Sequence, residues 1–179
     1  MKKFLLHACC APCSIAIIDE LKDAFDLTVF FFNPNIFPLA EYERRKAEVV
    51  KVCREWNVPM ADMDYGNGMW RDNVARGMEN EPEGGARCAK CFAFRLNKAA
   101  WYAAANNFDL FGTSLTSGRN KKAVVINPIG QNAGNRFGVA FYEADWKKDG
   151  RQEKAKRLVE ERGIYRQNYC GCRFSISQP

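Results

Sequence analysis

Seven of the eight cysteines in this 179-residue chain fall into three short groups. Cys9, Cys10 and Cys13 lie within five residues, Cys88 and Cys91 form a CxxC pair, and Cys170 and Cys172 flank a single glycine. Thiolates are soft ligands and nucleophiles, so such a set suits zinc, an iron–sulfur cluster or disulfide exchange. The first group ends the apolar run Phe4-Leu5-Leu6-His7. A helical pattern follows it, with Ile15, Ile18, Leu21 and Phe25 at spacings of three and four. The layout is strand, tight loop, helix N-terminus, a place where backbone amides favour thiolates and other anions. Cys53 stands apart, on the apolar stripe Val49, Val52, Cys53, Trp56, and reads as buried filler.

Three chemistries compete for the grouped thiols. Cys10-Ala11-Pro12-Cys13 invites a thioredoxin-like reading, but Cys9 stands beside that pair and a second CxxC opens another helix. Structural zinc could use Cys9 or Cys10 with Cys13, Cys88 and Cys91. An iron–sulfur cluster, which needs four cysteines, fits equally well. Neighbouring side chains of a strand point to opposite faces, so joint use of Cys9 and Cys10 requires the chain to leave the strand by Cys9. His7, the only histidine, sits inside the apolar strand and reads as a satisfied structural group, with proton donation as its alternative.

The elements that position these groups alternate along the chain. Strands are expected near 3–8, 27–32, 58–64, 108–112 and 137–142, and helices near 14–25, 40–56, 68–78, 91–106, 119–133 and 150–162. Continuous apolar strands between helices imply one α/β domain over residues 1–179, a parallel sheet of about five strands covered on both faces. Ligands of such sheets sit beyond the carboxyl ends of the strands, where the loop of Cys9, Cys10 and Cys13 falls. Asn33-Pro34-Asn35-Ile36-Phe37-Pro38 makes a shaped loop on that edge, and the helix after it allows Glu41 to pair with Arg45. The segment Gly112-Thr113-Ser114-Leu115-Thr116-Ser117-Gly118-Arg119 has the composition of a phosphate loop, and equally of an ordinary one.

Composition narrows the setting. The chain is 47% hydrophobic and 27% charged, as soluble globular proteins are. No apolar run is long enough to span a bilayer and the first residues do not read as a signal peptide, so a cytoplasmic protein with reduced thiols and no membrane partner is expected. Residues 1–118 hold 14 Lys/Arg against 15 Asp/Glu, whereas residues 119–173 hold 13 against 6. That basic third, with Arg119, Lys121, Lys122, Lys147 and Lys148, reads as a footprint for a phosphate backbone or as a solvated helix face.

The chain resembles a known family along most of its length. The carrying segments are Leu6-His7-Ala8-Cys9-Cys10-Ala11-Pro12-Cys13-Ser14 and Asn33-Pro34-Asn35-Ile36-Phe37-Pro38 with Glu41-Tyr42-Glu43-Arg44-Arg45. Two more are the stretch from Glu81 through Arg87-Cys88-Ala89-Lys90-Cys91 to Leu96, and the ending Ile164-Tyr165-Arg166-Gln167-Asn168-Tyr169-Cys170-Gly171-Cys172-Arg173-Phe174-Ser175. Together they are similar to the cobalamin-independent epoxyqueuosine reductases of the QueH type. Residues 113–135 follow that pattern more loosely, and the loop 113–122 is given no role. The resemblance implies an adenine-nucleotide-hydrolase-like (HUP) α/β fold with a short cysteine-bearing C-terminal tail. It implies the last step of queuosine biosynthesis, in which the epoxide oxygen of epoxyqueuosine is removed from the anticodon loop of tRNA. It also implies a 4Fe–4S cluster with a nearby mononuclear iron. Cys9, Cys10, Cys88 and Cys91 are then assigned to the cluster, with Cys13 near the second metal.

Converting an epoxide to an alkene takes two electrons and two protons, and a cluster moves one electron at a time. Cys170 and Cys172 are therefore expected to form a redox-active disulfide pair, refilled by an electron donor. Their ring through Gly171 would be small, strained and easily reduced. Asp64 and Asp145, at expected strand ends, are candidate ligands of the second metal or acids. Two rivals remain. An ATP-dependent tRNA sulfur transferase would need a phosphate loop rich in serine and glycine where Ala8-Cys9-Cys10-Ala11-Pro12-Cys13 stands. A zinc-stabilised RNA-binding module would need no redox chemistry.

Overall fold

The computed structural model describes residues 1–176. Five strands, β1 (Lys3–His7), β2 (Asp26–Phe31), β3 (Met60–Asp62), β4 (Leu110–Thr113) and β5 (Ala140–Phe141), form one parallel sheet in the order β3-β2-β1-β4-β5. His7 pairs in register with Phe30 on one side and Thr113 on the other, which makes β1 the central strand. The chain leaves β1 towards β2 and β3, then crosses over to β4 and β5. The reversal leaves a crevice beyond the ends of β1 and β4, where open α/β sheets bind their ligands.

The pleat sorts the core into two layers. Phe4 and Leu6 of β1, with Val29 and Phe31 of β2, face one cluster, and Leu5 and Phe30 face the other. The first face is covered by α1 (Ala11–Leu21), α2 (Leu39–Glu55) and α6 (Arg151–Glu161), the second by α4 (Ala86–Ala105) and α5 (Ala123–Phe137). Phe4, Phe30, Phe31 and Phe111 are fully buried, each contributing about 1.5–3 kcal/mol of apolar transfer. The helix α5 lies tight on β5 because Gly130 leaves room for the Phe141 ring, which would meet a Cβ there at 2.3 Å.

The boundaries differ from expectation at places that matter for the site. The helix α1 begins at Ala11, not at residue 14, because Pro12 is accommodated in a first turn whose amides are unpaired in any case. Cys10 is thus the N-cap and Cys13 lies in the first turn. The helix α4 begins at Ala86, five residues before expectation, where Glu81 accepts the Ala86 amide at 3.1 Å. Both Cys88 and Cys91 are therefore helical. The helix expected over 68–78 divides into α3 (Asn67–Trp70) and a π turn (Arg71–Ala75). The last expected strand shrinks to two residues, since α5 continues to Phe137 and ends on the left-handed Gly138. No described helix is long and apolar enough to cross a membrane.

Candidate active site

The first thiol group sits on the crevice. Ala8 still donates to Phe30 O at 2.9 Å, and the chain departs from the sheet at Cys9, as joint use of Cys9 and Cys10 requires. The Cys9 amide donates to Ser114 Oγ at 3.1 Å, the Ser114 hydroxyl faces Cys9 Sγ at 3.4 Å, and Ser117 holds the Cys13 carbonyl at 2.9 Å. The ligand atoms of Cys9, Cys10 and Cys13 all lie within 4.8 Å of one another. Gln167 donates to Cys10 Sγ at 2.9 Å from the C-terminal tail. Hydrogen bonds from Cys10 and Cys13 hold the Cys9 thiol well below the ordinary range, whereas burial pushes Cys10 well above it.

The second group gathers around the start of α4. Cys88, Cys91, Cys170 and Cys172 line one narrow cavity together with Asn35, Trp70, Arg87, Phe92 and Arg95. Gly84 N–H donates to Cys88 Sγ and Trp70 Nε1–H to Cys91 Sγ, each at 3.2 Å. Burial raises both thiols, Cys91 to about 11. Gly171 lies at φ +143°, a backbone state that side chains rarely adopt, and a Cβ there would approach Arg45 Nη1 at 3.1 Å and Asn35 Nδ2 at 3.2 Å. All eight cysteines are free thiols in this structure, so the expected disulfide is not formed in it.

Two buried cations join the groups. Arg95, 2% exposed, donates to Asn33 Oδ1, and Asn33 in turn donates to Ala8 O at 2.9 Å. Its charge acts on both Cys9 and Cys91. Lys121, expected as a surface phosphate contact, is only 9% exposed. Burial opposes its charge, but Cys170, Cys9 and Cys13 outweigh burial and raise its pKa. Its partner in that expectation, Lys147, is turned onto the carbonyls of Gly118 and Lys121, at 3.4 and 2.5 Å. Arg119, Lys122 and Lys148 are exposed.

Other expected players are settled by their partners. Phe32 O can only accept, so the proton of His7 sits on Nε2, and Nδ1 accepts from the Thr113 hydroxyl at 2.9 Å. Burial first, then Arg95, pushes the His7 pKa down to about 3, which makes it a neutral structural residue. The phosphate-loop reading of residues 112–119 fails, because Thr113, Ser114 and Thr116 are buried with hydroxyls engaged by His7, Cys9 and the Ala144 carbonyl. Asp64 is exposed, while Asp145 accepts the Lys147 amide at 3.3 Å and faces Lys148 at 4.0 Å. Neither belongs to the thiol triad or lines the second cavity.

Whether this site suits a cluster can be read from its polar atoms. Sulfurs ligating a cluster take N–H and O–H hydrogen bonds, and Gly84, Trp70, Gln167 and Ser114 already supply four. Buried side-chain atoms without a partner include Asn35 Oδ1, Arg87 Nε, Arg95 Nε and Gln167 Oε1. All four belong to residues that line the second cavity or touch Cys10. Two of them, Arg87 Nε and Arg95 Nε, are donors, and unpaired donors beside buried thiols are what an anionic group held by those thiols would use. The residues fit an iron–sulfur cluster.

A family model described as epoxyqueuosine reductase QueH matches residues 4–178. The chain is 40% identical over 176 residues to epoxyqueuosine reductase QueH of Histophilus somni, covering 97% of this chain and 72% of the relative. It is 35% identical over 178 residues to the protein of that name from Thermotoga maritima, covering 98% and 91%. The chain belongs to the epoxyqueuosine reductase QueH family. It is therefore an oxidoreductase. Among solved structures, the U34-tRNA thiolase NcsA of Methanococcus maripaludis, described with its 4Fe–4S cluster, superposes with a TM-score of 0.63 at 14% identity, over 98% of this chain and 62% of that one. At that identity the likeness concerns the fold, and it matches the HUP-type α/β expectation.

Within the QueH-like segments, several working residues escaped the reading of the sequence. Asn33, Asn35, Arg95 and Gln167 lie inside the quoted stretches, but only the structure shows that Gln167 touches sulfur, that Asn35 and Arg95 line the second cavity, and that Asn33 holds Arg95. Their signal was a polar residue in an otherwise apolar or cysteine-bearing run. Ser114 and Trp70 carried no such signal.

Proposed function

We propose that this QueH-family chain, acting as one α/β domain over residues 1–179 in the cytoplasm, reduces epoxyqueuosine to queuosine in the anticodon loop of tRNA. The observation that carries the reading is a pair of thiol groups, Cys9, Cys10 and Cys13 after β1 and Cys88, Cys91, Cys170 and Cys172 around one cavity, with the buried Arg95 and Lys121 acting on members of both. Cys9, Cys10, Cys88 and Cys91 would hold the 4Fe–4S cluster, two from each thiol group, with Arg95 buried between them. Cys13 would stand at a second metal, a mononuclear iron. When bound, these groups supply one-electron transfer and a Lewis acid for the epoxide oxygen.

The chain's own part is the supply of electrons, protons and charge. Oxidation of Cys170 and Cys172 to a disulfide releases two electrons and two protons. Removal of the epoxide oxygen consumes two of each and gives an alkene and water, so one dithiol balances one turnover. An external electron donor then restores the dithiol. Lys121 and Arg95 place two positive charges beside thiolates that would otherwise repel one another in a buried site. The exposed Arg119, Lys122 and Lys148 are left to meet phosphates.

The tight triad favours one second reading of the ligands, in which Cys13 replaces a member of the Cys88/Cys91 pair. Iron and sulfide analysis of Cys13→Ala and Cys88→Ala separates the two. The activity itself is tested with anaerobically purified protein, a reductant and tRNA bearing epoxyqueuosine. Mass spectrometry of the digested nucleosides should show loss of one oxygen. Unchanged epoxyqueuosine with a fully loaded protein would refute the proposal.

A further inference from the structure

The tail from Tyr165 to Ser175 has no regular structure beyond a terminal turn at Arg173–Ser175, yet it carries Cys170 and Cys172 to the cavity wall. One side chain holds much of it in place. Arg45, on the second turn of α2, is 2% exposed. Its Nη1 donates to the Cys170 carbonyl at 2.9 Å and its Nη2 to the Tyr169 carbonyl at 3.2 Å. Its Nε donates to Glu41 Oε1 at 2.6 Å, which turns the expected helix pair into a buried one. The guanidinium also lies 4.8 Å from the centre of the Tyr169 ring. Glu41 accepts in addition from the Tyr165 hydroxyl, at 3.1 Å to Oε2. Nearby contacts complete the seat: Phe37 N–H donates to Gly171 O at 2.8 Å, and the Tyr169 hydroxyl donates to Phe37 O at 2.5 Å.

We propose that Arg45 is the positioning residue of the Cys170–Cys172 pair, a buried fork that docks the two carbonyls on its N-terminal side and so holds both thiols against the Cys88/Cys91 cavity. A guanidinium suits this task because its planar donors reach two carbonyls and a carboxylate at once, which an ammonium cannot do in fixed geometry. Glu41 neutralises and orients it, so that burial of the charge is tolerated. Gly171 completes the device. A side chain there would press on Arg45, Asn35 and Ile36, at 3.1–3.2 Å, and lift the tail from its seat.

The inference rests on the reading that Cys170 and Cys172 are a redox pair and not cluster ligands. That reading fails if the Cys170→Ser/Cys172→Ser variant loses iron and sulfide. The inference is tested separately, on anaerobically purified holoprotein, by the rate at which iodoacetamide labels Cys172, with Cys53 as the internal monitor of folding. In Arg45→Met, Cys172 should label at least about tenfold faster while iron, sulfide and Cys53 protection stay at the parent level. Turnover should fall by a similar factor with KM for tRNA within about twofold, and Arg45→Lys should recover only part of either effect. If Arg45→Met exposes Cys53, Gly171→Ala replaces it, since it displaces the tail without altering α2. Parent-level labelling of Cys172 in a folded variant of either kind, or a change confined to KM, overturns the proposal.

Discussion

The two ends of the chain hold their sulfurs in place by different means. Near the N-terminus, Cys9, Cys10 and Cys13 are placed by regular structure: a central strand, a helix N-terminus, and hydroxyls from the loop after β4. Near the C-terminus, Cys170 and Cys172 are placed by side-chain hydrogen bonds, from Arg45 on the distant α2 and from Tyr169 and Ser175 within the tail itself. The first arrangement shares the stability of the sheet. The second hangs on a few hydrogen bonds and one small apolar contact, Cys172 and Phe174 against Trp70, outside both layers of the main core. A fixed platform suits a cofactor that must not move, and a docked tail suits a pair that must be oxidised and then met by an external reductant.

The largest expected effect is on the platform side. Cys9→Ala removes the thiol that receives hydrogen bonds from both neighbours, and it should abolish cluster binding and activity together. The visible spectrum near ~400 nm and the product assay report both. A Cys9→Ala protein that stays brown and active would place the cluster elsewhere and break the comparison. On the tail side, Cys170→Ser/Cys172→Ser should keep the cluster and bind tRNA, yet fail at multiple turnover. Loss of iron in that variant would join the tail to the platform.

A smaller effect sharpens how the platform is built. Ser114→Ala removes the acceptor for the Cys9 amide and the hydroxyl facing Cys9 Sγ, both buried. The expected cost is about 1–3 kcal/mol in unfolding free energy, read by denaturant titration. No change would mean that the loop after β4 does not support the triad. Smaller still are the effects of exposed charge. Arg119→Gln, Lys122→Gln and Lys148→Gln should each lower the salt dependence of tRNA binding, by about one unit in the log–log slope for every phosphate left without its cation. An unchanged slope in all three would remove the basic third from the interface.

The least change is expected at Cys53, whose pKa burial pushes up to about 12. It should resist alkylation near neutral pH in the folded protein, and labelling of Cys53 at the rate of a free thiol would show that the core is open.

How much of this was legible in the sequence depended on whether the signal was local. The apolar runs of β1 and β2 and the clustering of the cysteines were readable, because a strand buried on both faces must be continuously apolar. The Glu41–Arg45 pair was readable too, as an i,i+4 spacing, but its burial beneath the tail was not. Lys121 defies the pattern because a lysine in a basic run ordinarily faces water, and only the fold places thiols around it. The hydroxyl-rich loop misleads for a similar reason: its composition is that of a phosphate site, while its hydroxyls point inward to His7, Cys9 and Ala144. The two-residue β5 has too short a pattern to set its ends, and the helix before it runs on until Gly138 stops it. The hydrogen bond from Gln167 to Cys10 joins residues 157 positions apart, beyond the reach of any periodicity.

The most direct test of the central claim is iron and acid-labile sulfide analysis of the wild type and Cys88→Ala, both purified without oxygen. The account predicts about four irons and four sulfides per cluster in the wild type, with any second iron in addition. It predicts loss of the cluster's iron and sulfide when Cys88 is removed. Zinc without sulfide in the wild type, or full iron and sulfide in Cys88→Ala, would contradict it.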